Sequence, residues 1–230
     1  MSVGALALER AAVVLGLSLS QSQIVAFLAY RDLLVRWNGI YNLTAVRDAD
    51  VMLVQHLTDC LAVLPGLARE RPGGGRLLDV GSGGGLPGVV IAIASPGWQV
   101  LCLDTVAKKA AFVRQVGAEL GLANLSAVHG RVEAQASLAA DVVTSRAFAN
   151  LSSFCSLTRH HLAKGGIWMA MKGRAPSEEI ASLPPKVTVF HVEPLTVPGL
   201  VAQRCLVWMR PADGAAQLTP VETAIPLAAK

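Results

Sequence analysis

The residues best suited to chemistry stand in one short run, Asp79-Val80-Gly81-Ser82-Gly83-Gly84-Gly85-Leu86-Pro87-Gly88. Glycine backbone turns tightly and lets a ligand approach with no Cβ in the way. The run follows a strand-like segment, Arg76 to Val80, and precedes a helical one, Val89 to Ala94. Free N–H groups at such a helix start favour negative charge. In a dinucleotide enzyme that charge is pyrophosphate; in a methyltransferase it is the carboxylate of the cofactor's methionine part. A second acid, Asp104, closes the next apolar strand, Val100-Leu101-Cys102-Leu103-Asp104. Its carboxylate can accept from both hydroxyls of a ribose, at about 1.5–3 kcal/mol per bond. Either nucleotide cofactor would use this acid, so Asp104 alone does not choose between them.

Spacing separates the two cofactors better. Gly83, Gly85 and Gly88 satisfy G-x-G-x-x-G, a weak signal by itself. Asp79 stands two residues before Gly81. The resulting acid-x-Gly-x-Gly-x-Gly resembles the first motif of class I S-adenosyl-L-methionine-dependent methyltransferases. Pro87 also interrupts the frame where a dinucleotide turn runs straight into its helix. A nicotinamide-dependent oxidoreductase is therefore the rival reading, and S-adenosyl-L-methionine the preferred cofactor.

The acceptor must be argued from its own site, because fold does not fix substrate. The fourth strand ends in Asp141-Val142-Val143-Thr144-Ser145-Arg146-Ala147-Phe148. Enzymes that methylate exocyclic amines of bases typically carry Asn- or Asp-Pro-Pro-aromatic here, and this chain does not. Cytosine-C5 enzymes need a nucleophilic cysteine, commonly after a proline, and no cysteine here follows a proline. Guanine N7 needs neither a base nor a covalent nucleophile, since its lone pair is free at neutral pH. Catalysis would then be alignment and exclusion of water. Arg146 could hold cofactor, bind phosphate or orient a guanine through its O6 edge; the plainer role is a surface ion pair. His56 and Asp59 fall on one helix face at i and i+3, as a pocket border or as a solvated pair. Trp37, Tyr41 and Asn42 could stack on and bond to an unpaired base, and Trp37 could equally anchor the helical segment to the sheet. Adjacent His160 and His161 have poor metal spacing and are expected exposed at a helix end.

These groups need a scaffold. Strand-like runs recur at Arg76–Val80, Gln99–Leu103, Leu125–His129, Asp141–Ser145, Ile167–Lys172, Lys186–Val192 and Arg204–Arg210. Helical patterns alternate with the early ones, best over Val106 to Leu120, which indicates a parallel α/β sheet covered on both faces. The last two runs lack a convincing helix between them and suggest an antiparallel addition. Residues up to about Arg69 read as helical, over Gln21–Trp37 (capped by Ser20 or Ser22) and Val51–Leu64, with a turn-rich loop at Asn38–Thr44. Arg71-Pro72-Gly73-Gly74-Gly75 punctuates the chain. The expected division is a helical cap over 1–70, part of the same unit, a sheet domain over 71–210, and a loose tail over 211–230.

The bulk composition fits that scaffold. Of 230 residues, 53% are hydrophobic, enough for one core. Val3 to Leu19 comes nearest to a membrane span, and Glu9 and Arg10 break it. It lacks a basic lead-in and a cleavage site, so a cytoplasmic protein is expected, with no membrane partner. Cys60, Cys102, Cys155 and Cys205 form no CxxC pair, which indicates buried thiols and neither metal nor disulfides. The net charge of +4 is compatible with a nucleic-acid partner.

Taken together, the segments resemble one family. Trp37-Asn38 with Tyr41-Asn42-Leu43-Thr44 and Val46-Arg47-Asp48 is similar to its N-terminal signature, and His56-Leu57-Thr58-Asp59 to its next block. The glycine loop, Arg131-Val132-Glu133, Ser145-Arg146-Ala147-Phe148 and Lys172-Gly173 follow in the family's order. This is the ribosomal RNA small subunit methyltransferase G family, also called glucose-inhibited division protein B, and the resemblance covers approximately residues 5 to 210. It implies a class I methyltransferase fold: a Rossmann-like, seven-stranded, mostly parallel sheet with an N-terminal helical extension. It further implies N7-methylation of one guanine in 16S ribosomal RNA, as naked RNA or within the small ribosomal subunit. Gly81, Leu86, Val132, Glu133 and Arg146 would contact S-adenosyl-L-methionine, with Val132-Glu133 flanking the adenine; Gly83 and Asp104 complete the expected cofactor set. Arg146, His56 and Asn42 would position the target. A non-catalytic RNA-binding assembly factor would share the RNA partner and transfer no methyl group.

Overall fold

The seven apolar runs become the strands of one sheet: β1 (Gly75–Val80), β2 (Trp98–Asp104), β3 (Leu125–His129), β4 (Ala140–Ser145), β5 (Leu162–Lys172), β6 (Val187–Leu195) and β7 (Arg204–Pro211). In this computed structural model, residues 2–146, 148 and 150–212 are described. Ala147, Ala149 and the tail after Ala212 lie outside the described residues. The strand order is β3-β2-β1-β4-β5-β7-β6. β1 to β5 pair in parallel, and β7 runs antiparallel between β5 and β6. The antiparallel addition expected from the last two runs is therefore real, with the final strand inserted inside the penultimate one.

Leu77 to Val80 of β1 and Val142 to Ser145 of β4 are all buried. Helices cover both faces of a parallel sheet, so its central strands read as continuous apolar runs. Neighbouring residues still part company: Leu77 and Val142 join one core, Leu78 and Val143 the other. That is the period of two of an extended strand.

The helices are α1 (Val3–Val14), α2 (Gln21–Tyr41), α3 (Ala49–Met52), α4 (Asp59–Leu61), α5 (Leu64–Glu70), α6 (Gly88–Ala94), α7 (Ala107–Glu119), α8 (Leu151–Thr158) and α9 (Ser177–Ala181). Ser20 starts α2 with a reciprocal capping box to Gln23. Gln23 Nε2 also donates to the carbonyls of Ile93 and Ala94 at the end of α6, at 3.0 and 2.9 Å. Seven residues later, the Tyr30 hydroxyl donates to Gly84 O at 2.6 Å. The N-terminal helices thus hold the glycine loop from behind.

Two local expectations are corrected. The helix expected to end at Trp37 runs to Tyr41, so the loop begins only at Asn42. Asn38 is the reason. Its buried side chain stays on the helix, donates to Val46 O at 2.9 Å and accepts from Thr44 N at 2.9 Å. Asn42 then stops the helix in a left-handed conformation, φ 50° and ψ 58°, which asparagine tolerates better than most residues. Second, the helix expected over Val51–Leu64 is not uniformly α: Leu53–Thr58 forms a π-helical segment between α3 and α4. Such segments occur frequently at functional sites.

Ala49–Glu70, and not Val3–Leu19, is the described run nearest to membrane-crossing length and apolarity, with mean hydropathy 1.5. Within the fold, 72% of its most apolar window is buried. It packs against α1, α2 and α6, which accounts for its composition. All four cysteines are buried. His161, expected exposed, is also fully buried, with Nε2 2.9 Å from Val132 O. Its partner is the turn after β3, which local sequence does not reveal.

Tyr30→Phe leaves the buried Gly84 carbonyl without its donor. The expected cost is about 1–3 kcal/mol, read as a lower urea midpoint with an unchanged m-value.

Candidate active site

The glycine loop is folded by buried carboxylates and one carbonyl. Asp79, at the end of β1, accepts from Gly88 N through Oδ2 at 2.8 Å. Asp104, at the end of β2, accepts from Gly83 N through Oδ2 at 2.9 Å and from Val106 N through Oδ1 at 2.8 Å. Gly81 N and Ser82 N both donate to Leu103 O, at 2.8 and 3.2 Å. Gly81 and Gly83 take φ of 67° and 58°. A Cβ added at either would meet nothing within 4 Å, so the outer side of the turn opens onto free space. The inner side is tight: a Cβ on Gly88 would lie 2.5 Å from Cys102 Sγ and 2.9 Å from Asp79 Oδ2. The loop closes through a cis Leu86–Pro87 peptide into α6.

Burial governs the charge here. Asp79 is fully buried, and its Oδ1 has no hydrogen-bond partner. Desolvation pushes its carboxyl up to about 7, against the Gly88 bond and the Arg146 charge, which favour the anion. Asp104 is 5% exposed. The expected ribose acid is thus already engaged by two backbone amides, and each of its oxygens keeps a further lone pair for a ligand.

Of the other expected cofactor residues, Leu86 belongs to this turn, Val132 and Glu133 follow β3 beside it, and Arg146 lines the cleft described next. Gly130 N donates to Asp104 O at 3.0 Å, which brings the end of β3 beside the acid. A 3₁₀ turn, Val132–Ala134, follows. Val132 is buried in the core, while Glu133 is exposed and 3.6 Å from Arg131. Leu86 is 4% exposed and packs in the core behind the loop. An open turn, two buried acids and an orphaned carboxylate oxygen fit a cofactor with an ammonium group and a ribose.

A second cleft, of about 320 Å³, is lined by Gln55, His56, Asp59, Arg146, Met171, Lys172, Gly173 and Arg204. The expected pair on one helix face, His56 and Asp59, does meet Arg146 here. Arg146 Nη1 lies 3.4 Å from His56 Nδ1, 3.4 Å from Gln55 O and 3.6 Å from Asp59 Oδ2. A guanidinium can only donate, so His56 Nδ1 is the acceptor and Nε2 carries the proton. That proton goes to Thr44 Oγ1, at 2.7 Å. Burial pushes the imidazole down to about 4, and the Arg146 charge adds to the shift. Asp59 is 1% exposed, and burial raises its carboxyl against the opposing pull of two arginines. The second arginine is Arg204, with Nε 2.8 Å from Asp59 Oδ1. Sequence reading missed Arg204. It sits 145 residues from its partner, and nothing local marks it beyond a cation at a strand start.

The aromatic residues divide. Trp37 packs between Tyr41 and Phe112 of α7, with ring centroids 5.2 and 5.4 Å away, so it anchors helix to helix. Asn42 is exposed at the end of α2 and outside the cleft lining. Thr44 and His56 carry the link from that segment into the cleft. Among the described residues, no group of three or more His, Cys, Asp or Glu could hold a metal ion.

A family model described as rRNA small subunit methyltransferase G matches residues 23–207. The chain belongs to that family. The ribosomal RNA small subunit methyltransferase G of Acidovorax sp. (strain JS42) is 55% identical over 215 residues, covering 89% of this chain and 94% of the relative. That of Leptothrix cholodnii (strain ATCC 51168 / LMG 8142 / SP-6) is 59% identical over 198 residues, covering 86% and 91%. Among solved structures, TrmN from Thermus thermophilus aligns with TM-score 0.53 at 19% identity over 69% of this chain and 53% of that one. MtNAS in complex with MTA and tNA aligns with TM-score 0.56 at 14% identity over 82% and 72%. These two support the fold alone. By family, the chain is an S-adenosyl-L-methionine-dependent methyltransferase, and the oxidoreductase reading falls away.

Asp79 and His56 impose opposite pH dependences on this methyltransferase. The Asp79 carboxyl, raised from 3.8 to about 7, costs stability progressively as pH climbs from about 4 to about 7. His56, lowered from 6.5 to about 4, costs stability as pH falls through that same range. A tenfold change in proton affinity between the folded and unfolded chain corresponds to about 1.4 kcal/mol. Asp79→Asn removes only the first effect. Its stability relative to the parent should therefore rise between pH 4 and pH 8 in urea titrations, and a flat difference would rule out the raised carboxyl.

Proposed function

We propose that the protein transfers a methyl group from S-adenosyl-L-methionine to N7 of one guanine in 16S ribosomal RNA. The observation that carries this reading is a cleft whose candidate bases are all engaged. His56 has a partner on each ring nitrogen, and its pKa is down to about 4. Asp59 is closed in by two guanidinium groups. No free group among the cleft-lining residues stands ready to remove a proton from the acceptor. Guanine N7 suits such a site, because its lone pair is available without deprotonation. The family name and the curated relatives supply the RNA class.

The residues divide the work by position. The turn over Gly81–Gly85 and the acids Asp79 and Asp104 form the cofactor side, with Val132 and Glu133 beside them. The bound cofactor supplies an electrophilic methyl group on a positively charged sulfur. Arg146 faces the second cleft at the end of β4 and orients the guanine through its O6 edge. His56 and Asp59 hold that arginine, and Thr44 holds His56. Catalysis is then alignment, with effects of the size that misplacement by about 1 Å produces, roughly 100-fold. The substrate is ribosomal RNA, free or within the small subunit, and the site of action is the cytoplasm.

Mass mapping of 16S RNA from cells lacking the gene should show loss of one 7-methylguanosine, and its return when the gene is restored. Arg146→Ala should fail to restore it while the protein still accumulates folded. An unchanged map on deletion would remove the acceptor assignment. Full restoration by Arg146→Ala would return that residue to an ordinary ion pair.

A further inference from the structure

Methyl transfer at this cleft depends on Arg146, yet Arg146 is held loosely. Its contacts with Gln55 O, His56 Nδ1 and Asp59 Oδ2 lie at 3.4, 3.4 and 3.6 Å, and the buried Cys60 thiol also faces it. The tight contact in the cleft belongs to Arg204, whose Nε sits 2.8 Å from Asp59 Oδ1. Asp59 therefore carries one arginine on each oxygen: Arg204 on Oδ1 and Arg146 on Oδ2. A carboxylate that is 1% exposed stays charged only with such partners.

The roles of the two arginines are unequal for structural reasons. Arg204 opens β7, and β7 is locked between β5 and β6 by antiparallel pairing. Its Nη1 also donates to the neighbouring Gln203 carbonyl at 2.9 Å. Arg146 follows the last residue of β4 and leaves the sheet. Both cations line the cleft, one from the start of a paired strand and the other from the segment that follows a strand end.

We infer that Arg204 is a positioning residue for methyl transfer: from the fixed end of β7 it keeps Asp59 ionised and oriented, so that the opposite oxygen carries Arg146 over the target base. This extends the proposed site and depends on Arg146 belonging to it. The charged and titratable groups facing Asp59 are few. His56 and Cys60 come from its own helical run, Arg146 from the end of β4, Lys172 from the end of β5, and Arg204 from β7. Lys172 is committed to Glu179 at 2.8 Å, and α6 brings no ionisable side chain to the contact with α4. With Arg204 gone, Arg146 alone opposes the cost of burying the carboxylate. Asp59 then binds a proton at higher pH, and Arg146 loses its tether.

The test compares Arg204→Gln with Arg204→Lys, using small subunits from cells lacking the gene as substrate. Arg204→Gln should lower kcat/KM roughly ten- to hundred-fold at pH 7. Its acid limb should move to higher pH, with activity recovering toward the parent as pH rises. Arg204→Lys, which keeps the charge, should keep the parent's limb. A purely structural role would lower the melting temperature of both variants without moving either limb, and that result overturns the inference. Should Arg204→Gln fail to fold, carboxyl-¹³C titration of the unsubstituted protein decides instead: Asp59 should be ionised at pH 7, and a bound proton there overturns the inference. Arg146→Ala in the same assay separates the two levels. An active Arg146→Ala removes the site reading itself. An inactive Arg146→Ala beside an Arg204→Gln of parental kcat/KM and limb removes only the role of Arg204.

Discussion

Backbone amides seeking acceptors at the carboxyl ends of β1 and β2 set the form of the glycine turn. A tight turn leaves N–H groups that cannot pair within a helix or strand, and buried amides must find partners. Asp79 and Asp104 supply them, taking Gly88, Gly83 and Val106, while the Leu103 carbonyl takes Gly81 and Ser82. Acids placed there for a ligand would be costly if left bare in the core. Here the same carboxylates fold the loop, so its shape is set by the chain's own hydrogen bonds. The Tyr30 bond to Gly84 and the Gln23 bonds to the end of α6 continue that support outward into the N-terminal helices.

The electrostatic state of the molecule follows from burial more than from its net charge. Asp79 is pushed toward the protonated form and His56 toward the neutral form. Both shifts arise from desolvation, and both reduce the charge held in the interior. Burial raises the Asp59 carboxyl as well, and its two arginines oppose that shift. Its charge is kept at the cost of constraining two long side chains. An arrangement of that kind is weak evidence for stability. It is better understood as fixing geometry where a charged side chain must point into a cleft.

Sequence disclosed the sheet with little loss, since seven apolar runs of strand length can pair in few ways. It also disclosed the glycine turn, whose requirements are local: positive φ at Gly81 and Gly83, and close approach at Gly88. The errors lie where tertiary contacts override local preference. Asn38 looks like the start of a turn, and its buried side chain instead extends α2 by four residues, from Trp37 to Tyr41. His161 looks exposed, and a carbonyl from the turn after β3 receives it in the core. Arg204 gave no signal, because its meaning lies entirely in a carboxylate distant in sequence. His56 and Asp59 were placed on one face by a spacing of three, and they do share the cleft even though the backbone between them is partly π-helical.

Under the proposed function, that division is how a common sheet acquires a particular acceptor. The elements that build the cofactor turn belong to β1, β2 and the loops that follow them, and any member of the fold class can offer them. The groups that tether Arg146 come from elsewhere. Thr44 lies after α2, His56 in the π-helical segment and Asp59 at the start of α4. His56 and Asp59 both reach Arg146 from this one helical run. The N-terminal helices also bury their apolar faces in the same core as β1 and α6. They cannot shift without disturbing the glycine turn that Tyr30 and Gln23 support. The proposed cofactor side and acceptor side are thereby tied through one layer of helices, as a reaction governed by alignment would require.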